Sequence, residues 1–162
     1  MSHVSSTEAD WSREVPRRFW DPSRRLLKSI RKYQSLDKSR FTGKILSKYW
    51  VVSHRFWSIV TGAEISLNCQ IGGGLLLPHP NGIVIHPNAK IGVNCLIFQQ
   101  VTLAGAENGT APVLEGHVDI GAGAKILGNV VLGQHSRVGA NAVVTKNVKE
   151  NATVVGIPAR EL

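Results

Sequence analysis

From Ile65 onward, aliphatic residues return at every sixth position, with two interruptions. Ile65, Ile71 and Leu77 form one run; Ile85, Ile91, Ile97 and Leu103 form a second; Leu114, Ile120, Ile126, Leu132, Val138 and Val144 form a third. Small or apolar residues recur four places after many of these, at Cys69, Ala89, Cys95, Val101, Val118, Ala124, Val130 and Ala142. A period of six fits neither an amphipathic helix nor a long alternating strand. It predicts a three-sided prism in which each hexapeptide supplies one short strand and one corner, its aliphatic residue pointing inward. The expected fold is therefore mainly β: a left-handed parallel β-helix of hexapeptide repeats, preceded by a short α-helical segment. Its left hand is an exception to the usual crossover rule.

Before Ile65 the period is helical. Asp21-Pro22 reads as an N-cap and a first-turn proline. Leu26, Leu27, Ile30 and Tyr33 then share one face, opposite Arg24, Arg25, Lys28, Arg31 and Lys32. A second helix is predicted from Thr42, as cap, to about Val60. Its stripe of Ile45/Leu46, Tyr49/Trp50, Phe56/Trp57 and Val60 reads as core or subunit contact. The resulting organisation is a disordered tail (1–10), a basic helical segment (11–60), a β-helix domain (61–149) with a protruding loop at 104–113, and a C-terminal tail (150–162).

A chain of 162 residues with 43% hydrophobic content can bury a core and holds one domain of ordinary size. Two cysteines make no disulfide framework and favour a reducing compartment. No apolar run approaches the roughly 18 residues of a membrane span, and the polar start is no signal peptide. A cytoplasmic setting is expected. Charge is uneven: residues 1–60 carry thirteen Lys/Arg against five Asp/Glu, whereas residues 61–162 carry six of each. The whole excess of +8 thus lies in the N-terminal third. It is either a solvated helix face or a contact for an anionic membrane or polymer, peripheral to the inner face of the membrane. No nucleic-acid-binding motif accompanies it, so no nucleic-acid partner is expected.

The inward residues number the faces. Ile65, Ile85, Leu103, Ile126 and Val144 mark the first; Ile71, Ile91, Leu114 and Leu132 the second; Leu77, Ile97, Ile120 and Val138 the third. The two extra residues between Leu77 and Ile85 fall at the edge joining faces three and one, and hold Pro78-His79-Pro80-Asn81-Gly82. A histidine between prolines has its backbone held and its ring presented. Glu64 lies on the same edge one coil lower, so a carboxylate is placed to orient an imidazole acting as general base. Two places beyond each third-face aliphatic lie His79, Gln99, Ala122 and Ala140, a column about 14 Å high at the inter-strand spacing. That length suits an extended pantetheine arm, making Gln99, Ala122 and Ala140 candidate cofactor-binding residues.

The stretches IGGGLLLPHPNGIVIHPNAKIGVNCLIFQQVTL (71–103), VDIGAGAKILGNVVLGQHSRVGANAVV (118–144) and VVGIPAR (154–160) resemble the serine O-acetyltransferase branch of hexapeptide acyltransferases. The resemblance covers about residues 61–160 and implies an acetyl-CoA co-substrate and a homotrimer with active sites between neighbouring prisms. It makes His79 the catalytic base, Glu64 the counterpart of its aspartate partner, and Gly105, Ala122 and Ala140 coenzyme A contacts. Two departures bear on the acceptor. Pro78 stands where the serine enzymes carry an acid, and Thr110-Ala111 where they carry Arg-His. A free amino acid needs charged partners when desolvated; a neutral sugar hydroxyl does not. Similar short members with a basic N-terminus are associated with polysaccharide biosynthesis, so the acceptor expected is a saccharide hydroxyl. The alternatives are serine O-acetylation, making O-acetylserine for cysteine biosynthesis, and a non-catalytic hexapeptide scaffold.

Two other chemistries are disfavoured by position. Cys69 and Cys95 occupy packing places, which argues against a covalent acyl-cysteine. His117 and His135 stack one coil apart, without the further ligands a zinc site needs, so no metal is expected.

Overall fold

The computed structural model describes residues 4–162. Helix α1 (Pro22–Gln34) and helix α2 (Phe41–Thr61) precede a left-handed parallel β-helix of about five coils. The first face stacks β1 (Glu64–Ile65), β3 (Val84–Ile85), β6 (Thr102–Ala104), β9 (Lys125–Leu127) and β12 (Val143–Val144). The second stacks β2 (Gln70–Ile71), β4 (Lys90–Ile91), β7 (Val113–Leu114) and β10 (Val131–Leu132). The third stacks β5 (Leu96–Ile97), β8 (Asp119–Ile120), β11 (Arg137–Val138), β13 (Thr153–Val155) and β14 (Arg160–Glu161). All pairings are parallel except β13 with β14.

Every inward aliphatic expected from the hexads is buried, as are the small residues four places on. The register explains why: Ile65 sits on Ile85, Ile85 on Leu103, and Leu103 on Ile126, so like side chains stack in one column through the core. Each coil satisfies its backbone by bonding to the coil above or below, as the ladder requires.

The helices start and stop close to where the sequence places them. Asp21 precedes α1 but makes no side-chain cap; its carboxylate instead accepts the Arg17 backbone N–H at 3.1 Å and Arg24 Nη1 at 3.2 Å. Leu26, Leu27 and Ile30 join the prism core. Gln34 donates to the Leu67 and Cys69 carbonyls, fastening α1 across the first coil. Helix α2 ends at Gly62 in the left-handed conformation (φ 64°), where any side chain would add strain. Most of its apolar stripe stays outside the core, with Ile45, Leu46, Tyr49 and Phe56 exposed, whereas Trp57 packs against it. Among the described residues no helix is long and apolar enough to cross a membrane.

Two terminal expectations need correction. Residues 1–3 of the expected disordered tail lie outside the described residues, but residues 4–14 form a strap along the corner between faces two and three. Asn94 Nδ2 donates to the carbonyls of Ser5 and Glu8 at 2.8 and 2.7 Å, and Asn94 Oδ1 accepts the Asp10 N–H at 2.8 Å. One coil above, Gly116 leaves no room for a Cβ because the Ser6 carbonyl fills that space. Higher still, Ser6 Oγ donates to Gln134 Oε1 at 2.8 Å. The expected C-terminal tail likewise belongs to the solenoid. Val154 is buried, and β14 folds back on β13 to cover the last open edge.

Candidate active site

The His79 turn is held from below and above. Gly82 N–H donates to the Gly62 carbonyl at 2.8 Å, placing the turn on the end of α2, and Gln100 N–H donates to the Asn81 carbonyl at 2.9 Å. His79 itself is exposed. Glu64, also exposed, follows the same edge: its N–H donates to the Ile83 carbonyl at 2.8 Å, and it pairs in register with Val84. The backbone thus brings the two to neighbouring heights, but within one subunit no hydrogen bond or ion pair joins their side chains.

Above His79 the column is continuous. The Gln99 carbonyl accepts Gly123 N–H at 2.9 Å, and the Ala122 carbonyl accepts Asn141 N–H at 2.8 Å. Gln99, Ala122 and Ala140 therefore occupy successive coils on one edge. Gln99 Oε1 is buried with no hydrogen-bond partner, an acceptor that a ligand N–H could satisfy. Gly105 is not brought to this column. It lies across the first face, where a Cβ would come within 2.9 Å of the His86 ring and of the Thr110 carbonyl. The loop carrying it folds on itself through Ala106 N–H to the Thr110 carbonyl at 2.7 Å and is tethered by Asn88 to Gly109 at 2.9 Å.

One part of the site escapes the sequence pattern. A cavity of about 580 Å³ opens beside His79, and its other wall is the N-terminal segment: Arg17, Arg18, Trp20 and Arg24. The charge asymmetry was the available signal, but only the fold shows that residues 15–21 cross the lowest coil of the third face to reach His79.

The remaining candidates stay outside this edge. Burial raises both the Cys69 and the Cys95 thiols to about 11, and each Sγ points at a backbone carbonyl, Ala89 at 3.4 Å and Glu115 at 3.2 Å. Neither can be a thiolate nucleophile near neutral pH. His117 and His135 meet Nδ1 to Nδ1 at 2.7 Å on the corner between faces two and three. Among the described residues no three His, Cys, Asp or Glu side chains group to hold a metal. His54 donates from Nε2 to the Ile65 carbonyl at 2.8 Å, joining α2 to the first coil.

No family model matches the chain. It is 43% identical over 105 residues to the serine acetyltransferase of Synechococcus elongatus, an alignment covering 63% of this chain and 43% of that protein. It is 41% identical over 108 residues to the serine acetyltransferase of Mycobacterium tuberculosis, covering 65% and 47%. The chain spans about half the length of the curated relatives it matches. Among solved structures, a serine acetyltransferase in complex with CoA superposes with a TM-score of 0.73 at 30% identity, over 89% of this chain and 58% of that one. A serine acetyltransferase complex with cysteine gives 0.74 at 33% identity, over 88% and 58%. In sequence and in fold alike, this hexapeptide β-helix resembles the serine acetyltransferases.

Proposed function

We propose that the protein is an O-acetyltransferase that moves the acetyl group of acetyl-CoA to the hydroxyl of a small acceptor, working as a homotrimer with its sites between prisms. The observation that carries this reading is His79, held in its turn at the foot of the Gln99–Ala122–Ala140 column, in a chain 43% identical over 105 residues to a serine acetyltransferase. The small side chains of Ala122 and Ala140 leave the edge open to an extended thioester arm, and the unpartnered Gln99 Oε1 would accept an amide N–H from it.

His79 acts as general base, taking the proton of the acceptor hydroxyl as its oxygen attacks the thioester carbonyl. Glu64, at a neighbouring height on the same edge, is assigned to orient the imidazole. Backbone N–H groups near Gly105 stabilise the tetrahedral oxyanion; because Gly105 lies across the first face from His79, a neighbouring subunit supplies them. The imidazolium then gives its proton to the departing thiolate, leaving acetyl ester and free coenzyme A. No metal takes part in this scheme.

Serine is the acceptor favoured by the names of the relatives, ahead of the saccharide expected from the sequence. A saccharide stays as the second reading on one observation: Pro78 and Thr110-Ala111 bring no charge to the places they occupy. A thiol-release assay with acetyl-CoA, screening L-serine against sugars, nucleotide sugars and oligosaccharides, separates the two. Failure to bind coenzyme A at all would favour a non-catalytic scaffold. The exposed face of α2, with Lys44, Lys48 and Arg55 and no acidic residue in the helix, we assign to peripheral contact with anionic membrane or polymer.

A further inference from the structure

The cavity beside His79 is built by a part of the chain that the β-helix pattern does not include. Arg13 anchors its approach by donating to the Asn94 carbonyl at 2.8 Å. Trp20 packs edge-to-face on Trp57 of α2, ring centres 5.5 Å apart, which fixes the other end of the crossing. Between these anchors Arg17 and Arg18 are exposed on the cavity wall, and their guanidinium groups have no acceptor among the described residues. Among the described residues Asp21 is the sole carboxylate lining the cavity, and it is already engaged by Arg24 Nη1 and the Arg17 N–H. The wall facing His79 therefore carries two uncompensated positive charges.

We propose that Arg17 and Arg18 form an anion subsite for the acceptor, so that the hydroxyl presented to His79 belongs to a molecule bearing a carboxylate or a phosphate. This rests on the acetyl-transfer reading above. The column of Gln99, Ala122 and Ala140 climbs away from His79, which leaves the cavity at its foot to the second substrate rather than to the thioester arm. A guanidinium fork matches either anion with two parallel hydrogen bonds and fixes its orientation. The subsite also supplies the charge that Thr110-Ala111 does not, from a different element of the chain.

The test uses the full chain and the double variant Arg17→Ala/Arg18→Ala. Calorimetry with inorganic phosphate and with L-serine should show binding to the unaltered protein that weakens by about tenfold or more in the variant. Coenzyme A affinity should stay unchanged. Weakening of L-serine alone identifies a carboxylate acceptor, and weakening of phosphate alone a phosphorylated one. In turnover, the acceptor KM should rise by about tenfold with kcat little altered, while L-serinamide, which lacks the carboxylate, shows no difference. Equal affinity for both anions in the two proteins would overturn the proposal, as would a parallel loss of coenzyme A binding. Arginine-dependent anion binding in a protein that transfers no acetyl group would instead overturn the acetyl-transfer reading.

Discussion

Glu14 and Arg31 face each other through two hydrogen bonds, Nη2 to Oε1 at 2.8 Å and Nε to Oε2 at 3.0 Å. The same buried carboxylate accepts the backbone N–H groups of Gly74 and Leu75 at 2.8 and 3.1 Å, while Arg31 reaches on to the Ile71 and Gly72 carbonyls. One ion pair thereby ties the strap, α1 and the first coil together. Glu14→Ala would strand a half-buried guanidinium and two buried N–H donors. We expect it to lower unfolding stability by about 3 kcal/mol. Urea denaturation reads this; a loss below about 1 kcal/mol would mean that water replaces the carboxylate.

His79→Ala should keep the fold and coenzyme A affinity while lowering kcat by at least about a hundredfold. Glu64→Gln should lower kcat less than the loss of His79 does, since the imidazole itself is kept. Undiminished turnover in the His79 variant would remove the proposed base.

His54 gives stability a pH dependence. Burial lowers its pKa below the ordinary 6.5, against a smaller opposing effect of the bond to the Ile65 carbonyl. The unfolded chain thus binds a proton more readily than the native one. The contribution of His54 is complete above about pH 6.5 and is lost as pH falls through the lowered native value. Urea midpoints measured on both sides of that range should fall on acidification, and less so in His54→Gln.

Cys69 and Cys95, with thiols raised to about 11, should resist a disulfide reagent at about pH 8 in the native protein and react together once it is unfolded. Acetyl transfer should survive Cys69→Ala/Cys95→Ala. Rapid native labelling of either thiol would contradict their burial.

The face of α2 should bind anionic vesicles and release them as salt rises, because its Lys and Arg charges are screened over about 10 Å at ~0.1 M salt. Flotation that salt leaves unchanged would contradict an electrostatic contact.

The solenoid was legible because its rule is local. Each coil repeats one demand, an aliphatic residue facing inward, and Ile65 through Val144 meet it in sequence order. The period also puts Glu64 and His79 on one edge, but it says nothing of whether their side chains meet. The strap was illegible for the opposite reason: Ser6 finds Gln134 and Asp10 finds Asn94 across long stretches of chain, through single polar groups that leave no periodic trace. Arg17 and Arg18 could be counted as charge but not located, since their position depends on that strap and on Trp20 meeting Trp57. The stripe of α2 is only partly paired within the chain: Trp57 meets Trp20, while Ile45, Leu46, Tyr49 and Phe56 stay exposed.

From Ser6 at Gln134, past Gly116 and Asn94, to Glu14 at Gly74, the strap touches four consecutive windings in turn. It behaves as a gauge of fixed length laid against the stack. Removing one winding between Asn94 and Gln134 would leave surplus chain to buckle; adding one would pull Ser6 off its mark. Growth of the prism in whole windings above Gln134 would leave every one of these contacts in place, so the height at which the arginines meet His79 is protected from changes made at the far end.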